Sequence, residues 1–159
     1  MSWIVAENES GGFHGILFDY LRSYARAGQS VKLVSETEKV LTTFKDHFDL
    51  LNFECENKLD LNILHKCKAK DKVDVVFAQA VLEHVCRPSI VIENFCNMVK
   101  VDGHIILHTH NRHMEHHAFP IDCCRFFKDF FVDLCKYLPV ELMEYHEWDR
   151  HIAVCYKRI

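Results

Sequence analysis

Residues 78–112 read AQAVLEHVCRPSIVIENFCNMVKVDGHIILHTHNR, and residues 117–126 read HAFPIDCCRF. The first stretch leaves an apolar run, residues 73–77 (VDVVF), whose β-branched side chains predict a buried strand. Pro88 and Ser89 then open a helix. Proline suits a first helical position because the N–H it lacks has no partner there. Val91, Ile92, Phe95, Met98 and Val99 recur at helical spacing and carry the helix to about Lys100. Asp102-Gly103 predicts a turn, and residues 104–107 (HIIL) a second buried strand. A strand, a crossover helix and a second strand make a parallel, right-handed unit.

The same alternation extends in both directions. Upstream, residues 3–6 (WIVA) predict a first strand, followed by the polar, glycine-containing turn ENESGGFHG. A helical period runs over residues 16–27 and ends at Gly28. Residues 31–34 (VKLV) predict a strand, and Ser35 or Thr37 caps a helix holding Val40, Leu41, Phe44 and Phe48. Residues 50–55 predict a third strand and residues 60–67 a short helix. Downstream, residues 126–138 predict a helix stopped by Pro139, and residues 141–148 and 151–157 an antiparallel pair turning near Asp149-Arg150. The pattern predicts an α/β chain of one domain, residues 1–159. Its sheet is doubly wound, mostly parallel and Rossmann-like, with about seven strands and a C-terminal antiparallel pair.

Composition narrows the function classes. A hydrophobic share of 49 % and a charged share of 26 % describe an ordinary globular core and surface. No apolar run approaches the ~20 residues that span a bilayer, so no membrane role is expected. MSWIVAENES lacks a basic start and a long apolar segment, so no signal peptide is expected. A net charge of −4 argues against a nucleic-acid backbone as the main partner. The eight cysteines include no CxxC pair, which argues against a zinc ribbon. Cys96 and Cys155 fall on apolar faces, where a free thiol behaves as a small hydrophobe, and the reading is a reducing, cytoplasmic setting without disulfides.

In such a sheet, ligands bind outside the carboxyl ends of the strands. Three segments that feed those ends, AQAVLEHV, KVDGHIILHT and HHAFPIDCCRF, follow one another in an order and spacing that resemble class I S-adenosylmethionine-dependent methyltransferases of the small-molecule type. The resemblance covers about residues 73–138. It implies a seven-stranded sheet, S-adenosylmethionine as methyl donor and a small-molecule methyl acceptor.

The resemblance also implies a cofactor site in the first half, where the match is poorest. Family members carry an acidic residue and then GxGxG after the first strand, with a helix ahead of it. This chain offers Glu7, Gly11, Gly12 and Gly15, and the sequence begins at the predicted strand. A Gly-Gly pair still permits the tight turn, and a surface loop with positive φ is the alternative. Glu36 is placed to accept the ribose hydroxyls, or else to sit as a carboxylate on a helix N-terminus. Asp60 is placed near the adenine amino group, or else as the N-cap of residues 61–67. Gln79 and Ala80 fall where the family lines the methionine end.

The loop after the fifth predicted strand holds His108, His110, His113, His116 and His117. His113 and His117 have an i, i+4 spacing, but HMEHH lacks the HExxH order and Pro120 follows closely, so no metal site is read from it. His110, nearest the strand end, is the candidate base toward the acceptor. Asp122 and Arg125 are spaced to pair and fix this loop. The leading expectation is a methyltransferase. Its rival is a non-catalytic methyltransferase-like binding or scaffold domain that has lost its cofactor.

Overall fold

The computed structural model describes residues 13–118 and 121–159. Its elements run α1 (Phe13–Tyr24), β1 (Ser30–Val34), α2 (Glu38–His47), β2 (Asn52–Glu56), β3 (Val73–Gln79), α3 (Pro88–Met98), β4 (Val99–His110), α4 (Lys128–Leu134), β5 (Val140–Trp148) and β6 (His151–Arg158). Two single turns of 3-10 helix, Ala69–Asp71 and Leu82–His84, flank β3. The described strands form one six-stranded sheet in the order β2-β1-β3-β4-β6-β5. β1 pairs in parallel with β2 and β3, and β3 with β4; β6 runs antiparallel to both β4 and β5.

Alternation along the strands sorts the core into two layers. On one face Leu33, Val75, Phe77, Ile106 and Cys155 pack beneath Leu17, Phe18 and Leu21 of α1 and Phe44 of α2. On the other, Val76, Ile105, Leu107, Val154 and Tyr156 pack beneath Val91, Ile92 and Phe95 of α3 and Phe131 of α4. Each central strand is therefore apolar on both sides. That is why residues 75–78 of β3 and 105–107 of β4 lack a polar face in the sequence.

The doubly wound, mostly parallel α/β architecture agrees with the sequence reading, as does the antiparallel C-terminal pair. The strand count is six among the described residues. The predicted first strand, residues 3–6, lies outside them, as do Glu7, Gly11 and Gly12. β1 and β3 are hydrogen-bonded neighbours (Val31 opposite Val75), so no further strand separates them.

Two local expectations are corrected. Residues 60–67 form no helix. Buried Asn94 of α3 accepts from the His65 amide at 2.7 Å and donates to the carbonyls of Leu61 and Ile63. Asn97 donates to the His65 carbonyl, so side chains take up backbone groups that a helix would have paired internally. Asp102-Gly103 is no turn between helix and strand either, because β4 runs through it from Val99 to His110. Asp102 adopts a left-handed φ of 64°, and Gly103 fits because a Cβ there would meet the Asp74 carbonyl oxygen at 2.5 Å.

Candidate active site

The chain passes from β1 outward to β2, then returns across the sheet to β3, the immediate neighbour of β1. This reversal is the switch point, and the carboxyl ends of β1 and β3 form its rim. Each of these strands is followed by a non-glycine residue in the left-handed region, Ser35 at φ 59° and Ala80 at φ 50°. Such backbone costs about 1–3 kcal/mol per residue and concentrates at functional sites. Ser35 donates its amide to Glu56 O and Ala80 donates to His108 O, so both turns are anchored to the adjoining strand end.

Four of the residues singled out in the sequence lie at the carboxyl ends of these strands or in the loops after them or after β2. Glu36 follows β1 and is buried, and its own carbonyl accepts from the Asn57 side chain at 2.8 Å. Gln79 is the last residue of β3 and Ala80 follows it. The Gln79 Oε1 atom is buried with no hydrogen-bond partner among the described residues. A buried acceptor in that condition suits a ligand that brings an N–H or O–H donor. Asp60 instead lies exposed beyond β2 and accepts from the Asn62 amide at 3.0 Å in an Asx turn. That bond takes the place of the expected helix N-cap.

The carboxyl end of β4 carries a polar cluster inside the fold. His108, Thr109 and His110 are all buried, and so are Glu83 from the turn after β3 and His151 at the start of β6. Thr109 Oγ1 donates to Glu83 Oε2 at 2.7 Å, and His110 Nδ1 lies 3.2 Å from Glu83 Oε1. His108 Nε2 and His151 Nδ1 are 3.0 Å apart. Burial drives the His110 pKa down to about 3, helped by the charges of His151, His117 and Arg125. A carboxylate at Nδ1 favours the imidazolium, but desolvation outweighs it here, and we take His110 as neutral with Nδ1–H donating to Glu83. Burial also raises the Glu83 carboxyl, against the Thr109 hydroxyl and the charges of His84 and His117. His110, the candidate base of the sequence reading, is thus a buried imidazole whose Nδ1 faces the Glu83 carboxyl.

The segment between β4 and α4 lies beside this cluster. Glu83 O accepts from the amides of Cys123 and Cys124, and His84 Nδ1 lies 2.5 Å from Ile121 O. Asp122 and Arg125 form the expected pair, with two bonds of 2.5 and 2.6 Å, and Asp122 also accepts from the His117 amide. The Arg125 guanidinium holds the Asp122 carboxyl well below the ordinary carboxylate range. Arg125 further donates to the carbonyls of Met114 and Glu115, which ties both ends of the loop together.

Sequence reasoning picked His110 but missed what surrounds it. Glu83 reads as a turn residue and His151 as the edge of a strand. Only the sheet register, which sets His110 opposite His151, brings the parts together. The usable signal was the H-x-H spacing of His108 and His110, which places both on one face of a strand.

No family model and no curated protein matches the sequence. Solved structures do match the fold. One is a complex between the Trm112 methyltransferase activator and a methyltransferase of Haloferax volcanii, with a TM-score of 0.61 and 13 % identity over 84 % of this chain and 83 % of that one. Another is an S-adenosylmethionine dependent methyltransferase from Mesorhizobium loti, with a TM-score of 0.61 and 11 % identity over 89 % of this chain and 97 % of that one. This is the class I methyltransferase fold. A third neighbour, at a TM-score of 0.58 and 7 % identity over 91 % of this chain and 80 % of that one, is the [4+2]-cyclase SpnF. The fold is thus shared across different chemistries, and the reaction has to be argued from the site. No helix among the described residues is long and apolar enough to cross a membrane.

Proposed function

We propose that the protein is an S-adenosylmethionine-dependent methyltransferase acting on a small-molecule acceptor. The observation that carries this reading is the switch-point rim, where Gln79 Oε1 is buried and without a hydrogen-bond partner among the described residues, beside the strained Ala80. Neighbours of the same fold named for this cofactor support it. Glu36 accepts ribose hydroxyls, and Gln79 and Ala80 receive the amino-acid end. Glu7, Gly11 and Gly12 stay assigned to the cofactor from the sequence alone, and Asp60 to the rim near the adenine. When bound, the cofactor supplies a methyl group already activated on a positively charged sulfur.

The protein's own work is alignment and exclusion of water, because orientation supplies much of the rate of an in-line transfer. The β4 end forms the acceptor side. His110, its Nδ1 fixed by Glu83, presents Nε2 to hydrogen-bond and orient the acceptor. The loop locked by Asp122 and Arg125 closes over that side.

Calorimetric titration with S-adenosylmethionine and with its demethylated product tests the reading. Micromolar binding is expected, weakened about 10-fold or more by Glu36→Ala, in line with about 1.5–3 kcal/mol for hydrogen bonds to a charged group. Gln79→Leu should weaken binding while leaving the fold as stable or more so, since it removes an unsatisfied buried acceptor. No binding at millimolar ligand overturns the assignment in favour of a non-catalytic domain.

A further inference from the structure

The three buried histidines at the end of β4 and the start of β6 share one geometry. His108 and His110 are two apart on β4 and project to the same side. His151 is the direct cross-strand partner of His110 in the antiparallel ladder. Each of the three offers a ring nitrogen, and these nitrogens all lie within 4.8 Å of one another. The closest two, His108 Nε2 and His151 Nδ1, are 3.0 Å apart. Imidazoles that converge in this way form the donor set of a nitrogen-liganded cation.

We infer that His108, His110 and His151 form a three-histidine site for a divalent transition-metal ion of the zinc type. Zinc–nitrogen bonds of about 2.0–2.1 Å in a tetrahedron set ligand nitrogens about 3.3 Å apart. The closest pair is already near that spacing, and the third nitrogen comes into range by rotation of buried rings. Three protein ligands leave one coordination position for water or an acceptor atom, the pattern of catalytic zinc. Glu83 completes the arrangement from outside. Its Oε1 lies against His110 Nδ1, which leaves Nε2 for the cation, and Thr109 holds the other carboxylate oxygen. A carboxylate behind a ligating histidine fixes its tautomer and raises its basicity. Metal uptake needs the proton shared by His108 and His151 to move to another nitrogen or leave, which neutral imidazoles permit.

The site stands on geometry and does not depend on cofactor binding at the β1–β3 rim; with the cation on His110 Nε2, the acceptor would meet the open coordination position in place of that nitrogen. On the other side of β4, His108 is the register partner of Gln79, so the cation would lie one strand away from the cofactor rim. A second group, Glu83, His84 and His117, also gathers ligand atoms within 4.8 Å of one another. Its carboxylate is committed to Thr109 and His110, and His84 Nδ1 faces the Ile121 carbonyl, so we place the cation at the three histidines.

The experiment is a titration of the chelator-treated full chain with Co²⁺, read by the visible absorption of four-coordinate cobalt, followed by displacement with Zn²⁺. One equivalent is expected, with loss of the cobalt bands when zinc is added. X-ray absorption of the zinc-loaded wild type should give three histidine nitrogens per metal. His151→Ala should weaken binding about 100-fold or more, and Glu83→Gln about 10-fold, the range for outer-shell partners. His84→Ala/His117→Ala should bind as the wild type does. The wild-type measurements decide the matter even if an interior variant fails to fold. Absence of stoichiometric binding overturns the inference, as does a shell with fewer than three histidines, or loss of binding in the His84→Ala/His117→Ala protein. Cofactor calorimetry is separate, so the metal site and cofactor binding succeed or fail independently.

Discussion

Gly103 shows how a single residue fixes the path of the central strand. A Cβ there would approach the Asp74 carbonyl oxygen at 2.5 Å and Val99 Cγ2 at 2.7 Å. Backbone cannot retreat as a flexible side chain can, so Gly103→Ala should destabilise the fold by about 1–3 kcal/mol, as overpacking does. A lower urea midpoint at an unchanged slope is the expected signature. Tyr156 gives a second case. Its hydroxyl donates to the Phe131 carbonyl at 2.8 Å inside the core and so links β6 to α4. Tyr156→Phe should cost about 1 kcal/mol by leaving that carbonyl with one partner fewer, and thermal unfolding would show it. Neither contact is written in the residue itself. Gly103 reads as a turn glycine and Tyr156 as an apolar position, because the sequence reports residue type and period while the partner comes from another element.

At the scale of elements, the loop joining β4 to α4 is held by charge. Asp122 takes two bonds from Arg125 and one from the His117 amide. Because its folded pKa is depressed, the stabilisation is complete above the ordinary aspartate pKa of about 3.9 and is lost as pH falls through the folded value. Wild-type stability should therefore drop between about pH 5 and 2 more steeply than that of Asp122→Asn. The same variant should be cut sooner by protease between residues 111 and 127 at neutral pH, a change limited digestion would detect. This loop also shows what was legible in the sequence. The Asp122–Arg125 pair was readable because its partners are three residues apart. The strapping of residues 61–65 by Asn94 was not, because a buried amide in an apolar helix face gives no sign of the distant carbonyls it serves. Strands and helices with clean periods, such as β3 and α3, were placed within a few residues. The helix α4 came out shorter than its apolar pattern, since capping at Phe127 and the turns after Cys135 trim both ends.

For the molecule as a whole, the sheet order sets where a ligand couples to stability. A cofactor seated at the rim between β1 and β3 touches strands from both sides of the reversal, so binding should protect the whole sheet rather than one loop. At 100 times Kd it should add about 2.7 kcal/mol, seen as a concentration-dependent rise in Tm. The doubly wound class was legible because alternating strand and helix patterns leave few topologies. The direct pairing of β1 with β3 was not, since sheet neighbours are chosen by long-range packing.

That topology also sets an order in time. Among the described strands, β5 and β6 alone are joined by a tight turn, at Asp149-Arg150, while the parallel ladders must wait for a crossover to close. A hairpin forms in about 1–10 μs, and non-local pairing is far slower. His151, the first residue after that turn, travels with the early hairpin, whereas His108 and His110 arrive on β4. The three meet only when β6 docks against β4, so the proximity of these rings marks the completion of a long-range event and not the start of a local one.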